Sequence, residues 1–296
     1  MANEIRTAAI PMTTHVKAVL EPAYVLHHRP YRDSSLILDM LTAAHGRVAL
    51  VARGARRPRS RLHGALQPFQ PLLASWIMRG ELGTLTAVET RDGGLRGRAL
   101  ISGFYVNELL LRLLHRHDPH PQLFDAYEDV LHGLAAVSQP ATEPAVAPAA
   151  GEQAVLRLFE TVLLRETGYG LVLDHEVAGG DPIQADAVYY YYPERGPFRE
   201  DAAAVRPRVE EAALACGGRA GPVRLHGASL LALARGELRE ALHLREAKCL
   251  MRAVLDTRLG GRPLASRELF RRPGGAGVGR VAEDVVNVMV ESGDGT

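Results

Sequence analysis

A chain of 296 residues, 47% hydrophobic and 23% charged, is long enough for two packed domains and apolar enough to give each a core. Its net charge of +1 hides an asymmetry: residues 1–98 hold 14 basic and 7 acidic side chains (net +7), and the rest hold 21 and 27 (net −6), so different partners are expected to meet the two halves. Cys216 and Cys249 are too few for a disulfide framework or a four-thiolate zinc site, the start has no signal-peptide core, and no stretch approaches the roughly 18 apolar residues of a membrane span.

A reducing cytoplasm is the expected setting. Residues 1–15 are polar and aperiodic and read as a flexible tail. From there to residue 92, five strand-length runs alternate with turn chemistry: Val19 to His28, Ser35 to Leu41, Arg47 to Ala52, Pro71 to Met78 and Leu82 to Glu89. Five short strands with one longer connection after the third predict a small closed barrel of the OB type over 16–92, a fold that binds oligonucleotides on one face. The longer connection begins Gly54-Ala55-Arg56-Arg57-Pro58-Arg59-Ser60-Arg61, four arginines in eight residues. Gly54 and Pro58 make it a loop rather than a charged helix face; alone it reads equally as a solvated charge run or as a polyanion site.

After a glycine-rich break at 91–98 the period changes to about 3.6. Phe104 to Arg116 predicts a helix apolar on nearly every side, and Leu123 to Val137 a second one. The Pro/Ala segment 138–151 reads as a mobile linker inside a first helical part, 99–170, which ends with a helix over Glu152 to Glu166. Residues 171–222 read as a small β insert with a strand over Ala187 to Tyr192; 223–272 return to helix, with a run over Glu237 to Leu259; 273–296 read as a flexible tail.

Several motifs invite chemistry and do not carry it. The glycines of 274–279 match neither phosphate-loop spacing, and no strand precedes them. His115, His117 and His120 do not share one helix face, and His27 and His28 point to opposite faces of a strand, so neither set chelates well. The run Tyr189 to Tyr192 could stack bases, but a strand with two rings buried and two exposed is the commoner use. No Ser/His/Asp spacing and no framed carboxylate pair is present, which argues against an enzyme. The two leucine-rich helices read as core. Flanked by Arg112, Arg116, Arg157 and Arg165, they also leave room for a partner with an acidic, hydrophobic tail.

The order of these motifs resembles the bacterial recombination-repair protein RecO family over roughly Ala23 to Arg272. The resemblance is carried by AYVLHHRPYRDSSLIL, HGRVALVARGARRPRSRLHGALQPFQPL, NELLLRLLHRHDPHPQLFDAYEDVL, LRLFETVLLRETGYGLVLD and LGGRPLASRELF. It implies an α+β multidomain protein: an N-terminal five-stranded OB-fold barrel, then a helical domain with a small β insert that carries a four-cysteine zinc site in many members. Here Asp174-His175-Glu176 and other non-thiol residues stand where the pattern would put cysteines, so no cofactor is expected and the insert is a degenerate zinc-finger-like region. The resemblance further implies binding of single- and double-stranded DNA, strand annealing, and work with RecR and the single-stranded-DNA-binding protein SSB that lets RecA load. Some members capture SSB's acidic, phenylalanine-ended C-terminal tail on the helical domain.

The sequence therefore predicts a nucleoid-associated DNA-binding protein. Its phosphate-binding face is expected from Lys17, Arg29, Arg32, Arg47, Arg53, Arg56, Arg57, Arg59 and Arg61, and its tail-binding set from Leu110, Leu114, Arg112, Arg116, Arg157, Phe159 and Arg165. An adaptor whose DNA contact is secondary, and an unrelated OB-fold RNA binder, are the alternative readings.

Overall fold

The computed structural model describes residues 16–138, 148–200 and 221–269. The readings of 1–15 and 273–296 as tails, and most of the 138–151 linker, lie outside them. The chain divides into two compact units: residues up to Gly93 together with Arg116–Pro119, and Gly94–His115 together with the residues from His120 onward.

In the first unit, β1 (Val16–Tyr31), β2 (Ser35–Thr42), β3 (Gly46–Ala52), β4 (Leu72–Met78) and β5 (Leu82–Thr90) close into a barrel in the order β1-β2-β3-β5-β4, with the short helix α1 (Leu62–Ala65) before β4. All pairings are antiparallel except β3 with β5. The period-2 pattern sends Val25, Leu38, Met40, Leu50, Ala74 and Trp76 inside, where each is fully buried. Every predicted strand is present, within a few residues at each end.

β1, at 16 residues, is nearly three times the usual strand length of about 5–6. Two bulges, between Ala18 and Glu21 and between Val25 and His27, let it bend far enough to pair with β4 at its start and β2 at its end. Gly46 shows how the unit takes in residues from far along the chain: it sits at φ 63°, and a Cβ there would lie 2.0 Å from the Asp118 carbonyl oxygen. The His117 N–H donates to the Arg47 carbonyl beside it (3.0 Å), so only glycine lets the 116–119 segment lie against β3.

The second unit holds α2 (Ala99–Leu113), α3 (Pro121–Val137), α4 (Pro148–Glu166), α5 (Gly227–Arg235), α6 (Ala241–Arg258) and α7 (Ser266–Leu269), with a three-stranded antiparallel sheet in the order β7 (Gly196–Arg199), β6 (Val188–Tyr192), β8 (Val223–His226). α2 starts five residues before the predicted Phe104 and stops at Leu113, because His117 takes a left-handed φ of 61° and Pro119 follows. α4 begins at Pro148, so the last four residues assigned to the linker are helical; proline at a first turn and two alanines favour that start. The third strand of the small sheet, β8, falls in residues assigned to the returning helices. Four residues are too few for periodicity to mark a strand.

The tyrosine run departs from the expected two-in, two-out pattern. β6 is the central strand, and Tyr189, Tyr190 and Tyr191 are all buried, leaving only Tyr192 half-exposed. These rings are core and offer no stacking platform.

Glu246 of α6 holds the start of α5. Its carboxylate accepts from the His226 N–H (2.9 Å) and meets the His226 ring at 2.8 Å. Burial works to raise the Glu246 pKa, but the Ser229 hydroxyl and the His226 N–H and ring hold it below the ordinary 4.5. A depressed carboxylate lends stability that is fully present above its unfolded pKa and is lost as pH falls through the folded one. Glu246→Gln is therefore expected to melt lower than the parent near neutral pH. The gap should narrow as pH drops below about 4.5, as read from melting temperatures across that range.

Candidate nucleic-acid interface

The basic loop follows β3 and is fixed by backbone rather than by its arginines. Gly54 takes φ 69°, which turns the chain out of the strand, and its carbonyl accepts from Arg57 N–H (3.1 Å). Ser60 N–H donates to the Arg57 carbonyl (2.9 Å), and Ala55 is fully buried as a plug into the barrel core. Arg56 N–H reaches across to the Ser34 carbonyl (2.9 Å), and the Arg56 guanidinium donates to the Arg32 carbonyl (3.3 Å). The loop is thus stapled to the β1–β2 turn, and two positive segments that are distant in sequence become one surface.

Arg53, Arg56, Arg57, Arg59 and Arg61 are all exposed on this surface. Arg32 joins them from the turn; its residue sits at φ 52°, and its guanidinium carbon lies 5.1 Å from the centre of the Tyr31 ring. Arg29 and Lys17 belong to a longer feature. Direct strand partners run Arg29–Ile37–Val51–Thr84–Ile77–Lys17, one outward-facing row that leaves β1 and returns to it around the closed barrel. Its ends are basic, its centre β-branched, and Ile77 is exposed. Near the Lys17 end, the first bulge turns Val19 and Leu20 outward, with Leu20 at φ 52° and its N–H donating to Ser75 Oγ (2.9 Å).

Arg47 differs from the rest. Its guanidinium donates twice to Asp39 Oδ1 (3.1 and 3.0 Å), and Arg116 reaches the same oxygen at 3.3 Å. Asp39 is nearly buried, so both cations are held by one carboxylate inside the barrel unit. The sequence reading missed Asp39, and only a short-range hint could have found it: an acid eight residues before Arg47 on paired strands.

The apolar members of the tail-binding set are buried rather than exposed for a partner, which corrects the expectation for them. Leu110, Leu114 and Phe159 are interior, because helices apolar on all sides pack on all sides. Arg112 is paired with Glu108 (2.7 Å), Arg116 belongs to the barrel unit, and Arg165 is exposed beside Glu166 and Gln122. Arg157 is buried against Glu160, with its Nε lacking a hydrogen-bond partner among the described residues. Close to it, burial lowers the Lys248 pKa, and the positive charges of Arg157 and Arg252 lower it further. Lys248 on α6 thus stands among Arg157 and Arg252, with Glu160 and Glu152 partly offsetting their charge, a grouping that spacing along the chain did not reveal.

Among the described residues no group of three or more His, Cys, Asp or Glu side chains could hold a metal ion, and no helix is long and apolar enough to cross a membrane.

Two family models match: the recombination protein O N-terminal domain over residues 16–93 and its C-terminal domain over 95–268. The chain is 42% identical over 265 residues to the DNA repair protein RecO of Thiobacillus denitrificans, covering 89% of this chain and 95% of that one. It is 45% identical over 259 residues to the protein of the same name from Alkalilimnicola ehrlichii (86% and 92% covered), and 43% over 260 residues to that of Nitrosococcus oceani (86% and 94%). With both domains matched in order and relatives covered almost end to end, the chain belongs to the recombination protein O (RecO) family of DNA repair proteins.

Proposed function

We propose that this protein is a DNA-binding recombination mediator that acts without making or breaking covalent bonds. The carrying observation is the stapled loop with five exposed arginines beside Arg32. Guanidinium groups fixed on a barrel face displace counterions from phosphates and read no sequence, so single- and double-stranded DNA both suit it. Two strands held near one positive surface repel each other less, and complementary strands then pair by proximity. Work with RecR and SSB, leading to RecA loading in the cytoplasm at the nucleoid, completes the reading.

A second reading is an adaptor that captures an acidic tail, in which Lys248 of α6, whose pKa is lowered by burial and by neighbouring positive charge, would meet a tail carboxylate. The tail of SSB is the proposed occupant.

Titration of the full chain against a fluorescent deoxythymidine oligonucleotide at several salt concentrations tests the first reading. Four loop contacts alone give a logarithmic salt slope near −3, taking about −0.7 per contact. A slope shallower than about −1, or binding that appears only after a protein partner is added, favours the adaptor. Clear preference for RNA of the same sequence would point to the RNA-binding alternative.

A further inference from the structure

The β insert is where the family resemblance implies a metal and where this chain departs from it. The insert's described residues 171–200 contain no cysteine; Cys216 of the insert lies outside them. The candidate ligands that remain do not converge: Asp174 and His175 are exposed and hydrogen-bonded to each other (2.7 Å), Asp181 is exposed, and Glu176 is buried. Among the described residues the donor set does not fit zinc, which takes four ligands around one point.

The turn that a metal would tie is closed by the chain itself. Ile183 N–H donates to the Asp174 carbonyl (2.9 Å) and Glu176 N–H to the Asp181 carbonyl (2.8 Å), so the two arms of the turn form a short antiparallel clasp around His175 and Pro182. Val177 N–H reaches the Pro197 carbonyl (3.1 Å), fastening the clasp to the hairpin of β6 and β7. Leu173 and Ile183, one on each arm, are buried.

At the centre stands the fully buried Tyr189 of β6. Its hydroxyl accepts from the Gln184 N–H on the second arm (2.9 Å). The Tyr189 hydroxyl therefore ties the second arm to the central strand, as the Val177 N–H ties the first arm to the β6–β7 hairpin, so both arms of the turn are anchored to the sheet by the chain itself.

We propose that the backbone clasp over residues 174–183, anchored to the sheet by the Tyr189 hydroxyl and the Val177 N–H, takes the place of the zinc site, so that residues 171–200 of the insert fold and stay folded without metal.

The test uses the full chain. Purified in the presence of zinc and then dialysed, it is expected to hold well under one zinc per chain by elemental analysis. Its melting curve is expected to be the same with and without EDTA. Tyr189→Phe keeps the ring and removes the hydroxyl. Amide hydrogen exchange at residues 174–184 should then speed up on the order of tenfold, with little change in the barrel. Should Tyr189→Phe fail to fold, the zinc content and the comparison with and without EDTA on the parent chain decide the proposal. Stoichiometric zinc, a melting point that falls on chelation, or unchanged exchange in Tyr189→Phe would overturn it.

Discussion

Glu108→Ala is expected to destabilise the helical unit by about 3–5 kcal/mol, the usual cost of removing one partner of a buried ion pair. Glu108 is 1% exposed on α2, and four donors converge on it. Ala265 N–H and Ser266 N–H donate at 2.9 Å, the Ser266 hydroxyl at 2.6 Å, and Arg112 pairs with it at 2.7 Å. The carboxylate thus holds the start of α7 and the segment around the buried Leu264 against α2, across more than 150 residues of chain. Alanine would leave two backbone donors, a hydroxyl and a guanidinium without their acceptor, and each buried orphan costs roughly 1–3 kcal/mol. For a unit of this size the melting point should fall on the order of 10 °C. Glu108→Gln, which still accepts but turns an amide toward donors, should fall between the two. Urea denaturation monitored by circular dichroism reads the difference, and a loss under about 1 kcal/mol for alanine would show that the segment is held by its apolar contacts instead.

The second large effect concerns binding. With Arg56, Arg57, Arg59 and Arg61 all replaced by alanine, the salt slope for a single-stranded oligonucleotide should become less steep by about 3, and the annealing rate should fall with it. The melting point should stay close to the parent's. The loop is held chiefly by the buried Ala55 and by backbone bonds at Gly54, Arg56 and Ser60; the Arg56 guanidinium also bonds back to the Arg32 carbonyl (3.3 Å), but at an exposed site. An unchanged slope in the variant would move the phosphate contacts elsewhere on the protein. Arg47 is left out of the set because Asp39 already holds it.

The barrel was legible because its signals are local. Alternation sets each strand, and turns such as Ala44-His45-Gly46 and Arg79-Gly80-Glu81 punctuate them at short range. The basic loop was legible for the same reason. What the sequence hid are relations set by tertiary packing. Nothing near Arg47 announces that Arg116 will share its carboxylate, 77 residues beyond Asp39. Composition made α2 apolar, but only packing decides that Leu110 is interior rather than lining a groove. The tyrosine run was misread because strand periodicity assumes one wet face, and β6 is covered on both. Spacing along the chain does not show that Lys248 stands near Arg157 of another helix as well as Arg252 of its own.

The double pairing of β1 also dictates an order of assembly. Its end forms a hairpin with β2, Tyr31 opposite Ser35, a local contact that costs little chain entropy to close. Its start pairs with β4, Val16 opposite Met78, and must wait until the intervening chain has been gathered in. The seam along residues 16–23 is accordingly expected to be the last part of the barrel to gain amide protection, as read by pulsed hydrogen exchange during refolding. Lys17 would then take its place beside Ile77 late in folding and the arginine-bearing end of the outer row early.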